Sequence, residues 1–274
     1  FKKNYNVYNI VICLHLIINP SNLLALKKIL DAKVSIYNNP AFIAADPISV
    51  PHRFKLKQDI EIAAFFAAMF SWGNRTTIIN KSNTLMSLMD EAPYDFVLNH
   101  QASDLKKLST FVHRTFQSAD LYYFIHFFAK HYQQYPSLET AFTLSNSPFI
   151  YDQLVQFHRY FFSFEHLQRT QKHVSSPAKN VACKRLNMFL RWMVRKDECG
   201  VDFGIWHQLK MSDLICPLDI HVCQVATRLG LLDHPMPSWR QAVKLTDCLK
   251  QLDQEDPVKY DFALFSLGAE ERFR

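Results

Sequence analysis

Three observations predict an all-α fold. Apolar residues recur at three- and four-residue intervals along most of the 274-residue chain. No run alternates apolar with polar residues as a half-buried strand does. Glycine is scarce, with 5 residues, about 2% against about 7% in average proteins. That scarcity argues against doubly wound nucleotide folds, β-sandwiches and glycine-rich phosphate loops, which need glycine at tight turns.

The elements follow in order. Leu23–Tyr37 places Leu23, Leu26, Leu30, Val34 and Tyr37 on roughly one helix face. Pro40, Pro47 and Pro51 then mark a loop. Asp59–Trp72 (DIEIAAFFAAMFSW) is apolar nearly all round, the pattern of a buried central helix, and its alanines allow close contact. Gly73 is placed to end it, and Thr76–Met89 reads as the next helix. Further helices are predicted at Tyr94–Asn99, Ser103–Val112, Ser118–Tyr132, Leu138–Ala141 and Asp152–Phe162. Pro177–Arg195 carries Val181, Leu186, Phe189, Leu190 and Met193 at helical spacing, with proline in its first turn. Lys196–Pro217 is turn-rich, Asp219–Leu229 is a helix stopped by Gly230, and Pro237–Leu252 and Pro257–Leu267 complete the set.

The chain is long enough for one large domain or two packed lobes. We read 23–274 as a single all-α domain of two lobes, and 1–22 as an N-terminal extension without an assigned role. Asn6–Ile18 is apolar but only 13 residues long and contains His15, too short to span a bilayer. The chain opens at Phe1 rather than Met, so an upstream extension or a fragment boundary is expected. The net charge of +6 permits an anionic partner. The six cysteines (Cys13, Cys183, Cys199, Cys216, Cys223, Cys248) show no two-residue spacing and read as reduced thiols of a cytoplasmic protein. Neither they nor the twelve histidines show metal-ligand spacing, so no metal and no cofactor are expected.

The sharpest local feature is PLDIHVCQVATRLGL (Pro217–Leu231). Asp219 precedes an apolar-periodic helix, where its carboxylate can accept first-turn N–H bonds. The run resembles the V-D-x-H-V-x-R-V-x-x-R-L-G segment of the helix-hairpin-helix DNA glycosylase superfamily. Together with SPAKNVACKRLNMFLRWMVR (Ser176–Arg195), it is similar to the lysine and aspartate helices of the archaeal 8-oxoguanine glycosylase branch. Asp46–Gly268 as a whole also resembles an uncharacterised bacterial family of unknown function, through DPISVPHRF, DIEIAAFFAAMFSWGNR, HRTF, ACKRLNMFLRWMVR and DPVKYDFALFSLG. The resemblance implies a two-lobed glycosylase-like fold with a diverged helix-hairpin-helix, and a candidate catalytic helix pair at 177–230. Two departures stand out. The usual L-P-G-x-G hairpin is missing, leaving only Gly200 and Gly204 between Arg195 and Asp219. The four-cysteine iron–sulfur loop of some relatives is also absent.

The resemblance implies Asp219 as the carboxylate that stabilises positive charge on a deoxyribose, and Lys184, 35 positions earlier, as an amine nucleophile forming an imine. Such an amine attacks only when unprotonated, which desolvation or a neighbouring cation such as Arg185 favours. Lys179 is the rival position. The expected partner is double-stranded DNA carrying a modified base, whose extruded base stacks on aromatic faces, and a monomer is expected. Candidates for the base pocket or DNA contact are Trp72, Asn74, Arg75, His113, Arg114, Phe116, Arg185, Arg191, Trp192 and His221.

Each has a plainer alternative. Asp219 can be only an N-cap, and Lys184 and Arg185 a solvated helix face. Arg75 can stabilise a helix C-terminus, His113-Arg114 can be a surface turn, His221 a structural histidine, and the aromatics core residues. The rival functions are a non-catalytic nucleic-acid-binding protein that has lost the chemistry, and a helical protein-interaction module.

Overall fold

The computed structural model describes residues 20–269, 271 and 273. The apolar stretch Asn6–Ile18 lies outside the described residues. Helices dominate: α1 (Pro20–Tyr37), the short α2 (Pro40–Ile43), α3 (Lys57–Phe70), α4 (Arg75–Leu88), α5 (Pro93–Asn99) and α6 (Ala102–Lys107). After a two-residue hairpin come α7 (Ser118–Tyr132), α8 (Glu139–Thr143), α9 (Ile150–Phe161), α10 (Lys184–Val194), α11 (Ile220–Arg228), α12 (Trp239–Lys250) and α13 (Tyr260–Ala269). The all-α expectation is met.

Three local differences from the sequence reading have physical causes. The predicted helix Ser103–Val112 stops at Lys107, and Val112–His113 pairs antiparallel with Phe116–Gln117, as β1 and β2. Arg114, at φ 56°, turns the chain there and lets Phe116 enter the core. The predicted continuous helix Pro177–Arg195 is broken. Ser176 caps a 3-10 turn at Pro177–Lys179, and Asn180 and Cys183 then take left-handed conformations at φ 54° and 50°. Asn180 is held there because its carbonyl accepts from Trp239 N and its side chain from Arg240 N. Lys184 is therefore the first residue of α10, not a mid-helix lysine. Finally, no glycine hairpin joins α10 to α11. The connection is irregular except for a 3-10 turn at Met211–Asp213.

Helix α3 is the axis of the larger core: every residue from Ile60 to Phe70 is buried, and its alanines let α10 pack against it. Phe65 alone contacts the rings of Phe124, Phe128, Phe157, Phe161 and Phe189. The one buried acid of this helix, Glu61, is fully satisfied. It accepts from Tyr132 Oη, Ser137 Oγ, Leu138 N and Trp206 Nε1, at 2.9, 2.5, 3.0 and 2.7 Å. Trp206 thereby pins the α10–α11 connection. A second apolar cluster joins α1, α11, α12 and α13 through residues such as Leu30, Val225, Leu245 and Leu264.

Candidate functional site

Residues from both clusters line a cleft of about 1220 Å³. Lys184 opens α10, and Asp219 is the N-cap of α11. One oxygen of Asp219, Oδ1, accepts from His221 N and Val222 N, each at 2.9 Å. The other, Oδ2, lies 3.5 Å from Lys184 Nζ. Asp219 thus caps its helix with one oxygen and presents the second to the lysine. Both side chains remain partly open, at 27% and 22% exposure.

Of the residues singled out from sequence, Trp72, Asn74, Arg75, Arg185, Arg191 and His221 also line the cleft. Asn74 caps α4 by accepting from Thr77 N at 3.1 Å, and it is exposed at the rim. Arg75 lies over the Phe265 ring, 5.2 Å from its centroid, at the start of α4 rather than at a helix C-terminus. Arg185 is turned inward. Its Nη1 donates to the Met69 carbonyl at 2.5 Å, near the C-terminal end of α3. Burial lowers its pKa. Arg191 is also committed: it pairs with Asp202 at 3.3 Å and with Asp261, so its guanidinium supports the wall and is not open to a phosphate. His221 Nδ1 is buried with no hydrogen-bond partner among the described residues.

The remaining four lie elsewhere. Phe116 and Trp192 are core residues, at 1% and 0% exposure, and reach no open surface. His113 is buried, with Nε2 on the Phe70 carbonyl at 3.1 Å, and burial lowers its pKa. Arg114 is exposed, and its guanidinium covers the Trp72 ring at 4.7 Å from the centroid. It reaches the site only through that indole.

Two acids that the sequence reading passed over also line the cleft. Asp46 caps the 3-10 turn Pro47–Ser49 by accepting from Ile48 N at 3.0 Å. Burial raises its pKa against the lowering effects of that N–H and of Arg191, Arg75 and Lys184. Asp261, 7% exposed, is pushed up to about 6, mainly by burial and against Arg191 and Lys184. The signal available was positional: Asp46 and Asp261 sit in the quoted segments DPISVPHRF and DPVKYDFALFSLG. Lys172, Lys179 and Lys184 add positive charge along the same cleft.

Among the described residues, no group of three or more histidine, cysteine, aspartate or glutamate side chains is placed to hold a metal ion. No helix among them is long and apolar enough to cross a membrane. A family model described as "Protein of unknown function (DUF2400)" matches residues 46–270. No curated protein and no solved structure matches. These comparisons provide no link to the helix-hairpin-helix glycosylases, and that resemblance rests on the quoted residues alone.

Proposed function

The chain belongs to the DUF2400 family, and from its cleft we propose that it is a DNA glycosylase-like enzyme, releasing a modified base from duplex DNA with Lys184 as nucleophile and Asp219 as charge stabiliser. The observation that carries this reading is the 3.5 Å approach of Lys184 Nζ to Asp219 Oδ2 inside the cleft. Breaking the N-glycosidic bond leaves positive charge on the deoxyribose, and a carboxylate in a partly desolvated site stabilises that charge more than water does. The lysine must lose a proton before its lone pair can bond to C1′. That proton leaves to solvent through the open cleft, so Asp219 remains a carboxylate while the sugar charge develops. Opening of the sugar ring then gives an imine, from which strand cleavage can follow. Trp72, with Arg114 over one face of its ring, lines the cleft and is the aromatic residue best placed to meet an extruded base. Lys172 and Lys179 offer charge for the backbone.

The test is borohydride trapping on duplex DNA carrying abasic or oxidised sites. A one-to-one covalent adduct with the wild-type chain, absent in Lys184→Gln, is expected. An adduct of equal yield in both, or none in either, sinks the catalytic role. Salt-dependent duplex binding without any adduct or base release would instead assign a binding protein that has lost the chemistry.

A further inference from the structure

We infer that Asp46 is the proton donor to the departing base, a role that rests on the glycosylase reading above. Three carboxylates line the cleft, and their partners divide them. Asp219 accepts two N–H bonds on Oδ1 and faces Lys184 with Oδ2. Asp261 is clamped by Arg191. Asp46 accepts one backbone N–H through Oδ1, and no ion pair to it occurs among the described residues. Its carrier is stiff. Pro47 and Ile48 are buried, and their turn packs against α3 and α4. Asp46 therefore enters the cleft on a different element from those that carry Lys184 and Asp219.

The surroundings of Asp46 suit an acid. Arg75 on α4 and Lys184 and Arg191 on α10 act on it, yet burial outweighs them and favours the protonated form.

As the C1′–N bond breaks, its electron pair goes to the base, and a base ring nitrogen takes the Asp46 proton, leaving a carboxylate. The Lys184 nitrogen bonds to C1′, and its displaced proton passes to solvent. One proton reaches the base and one leaves the amine.

The experiment compares wild type with Asp46→Asn, whose amide oxygen still accepts from Ile48 N. Two single-turnover measurements are made: release of a neutral oxidised base, and borohydride trapping on DNA with a preformed abasic site, which has no base to protonate. General-acid loss predicts a fall of about 100-fold in base release. That fall should exceed any fall in trapping by at least about tenfold. Wild-type base release should also decline as pH rises through the Asp46 pKa, and the variant should lack that limb. Equal falls in both assays, or none, would overturn the Asp46 role while leaving Lys184 in place. A wild-type chain that neither releases a base nor traps on abasic DNA would remove the glycosylase reading itself, and this role with it.

Discussion

Lys184 and Asp219, 35 positions apart, each stand at the start of a helix, and their side chains meet, Nζ to Oδ2, at 3.5 Å. Asp219 has two separable duties, and substitutions can divide them. Asp219→Asn keeps an oxygen for His221 N and Val222 N, so its melting temperature should stay close to wild type. Asp219→Ala should cost about 1 kcal/mol of stability through the lost cap. If the carboxylate serves chemistry, both variants lose the covalent adduct. Wild-type adduct yield in Asp219→Asn would reduce the residue to a cap.

Gly73→Ala should destabilise the wall beside Trp72. Gly73 sits at φ +109°, and an added Cβ would lie 2.3 Å from Arg114 Nη1. Backbone strain of this kind costs about 1–3 kcal/mol. Adding Arg114→Ala should recover the part due to the clash and none of the part due to φ. A double-mutant cycle by denaturant unfolding gives the division.

Arg195→Ala should be among the most damaging single changes. The guanidinium is 2% exposed and bonds to Asp202 at 2.9 Å, Asp197 at 2.7 Å and Asp256 at 2.9 Å. Removing it leaves buried Asp202 with Arg191 alone and half-buried Asp197 and Asp256 without their arginine, a loss toward the lower end of the about 3–5 kcal/mol for a broken buried pair. Chemical denaturation checks this, and a loss below about 1 kcal/mol would show that water replaces the arginine.

His173 gives a pH prediction with a definite sign. It is 2% exposed, and burial lowers its pKa from 6.5 to about 4, with Asp120 opposing. The unfolded chain therefore takes up the proton more readily. The stability from keeping His173 neutral is fully present above pH 6.5 and is lost as pH falls toward 4. Relative to His173→Gln, the wild type should lose stability across that window and little beyond it. A flat difference curve from pH 7 to 4 would contradict the desolvation of His173.

The helices were largely legible because their burial is periodic. Asp59–Trp72 announced itself by composition, and the structure buries Ile60–Phe70 without a gap. Asp219 was legible because capping is a local property. What escaped depended on backbone conformations that no side-chain pattern encodes. Asn180 and Cys183 carry apolar-periodic neighbours, so the run Pro177–Arg195 reads as one helix until Trp239 N and Arg240 N claim Asn180 from across the fold. Arginines misled in a related way. Arg185 and Arg191 look like a basic face in sequence, but their partners, the Met69 carbonyl, Asp202 and Asp261, come from outside their own helix. Phe116 and Trp192 belong to a chain with so many aromatics that composition could not separate core from pocket. Asp46 and Asp261 gained meaning only when both turned up beside Lys184.

Helix α13 has one further consequence. Phe262 packs into the larger apolar cluster, while its neighbours Tyr260 and Ala263 pack into the smaller. Asp261 lies between them on the cleft wall. Melting either cluster would strip α13 of half its anchorage and take the other with it, so the two halves should denature as one cooperative unit. A guest wedged at this shared rib would raise the thermal resistance of the entire molecule rather than of one flank.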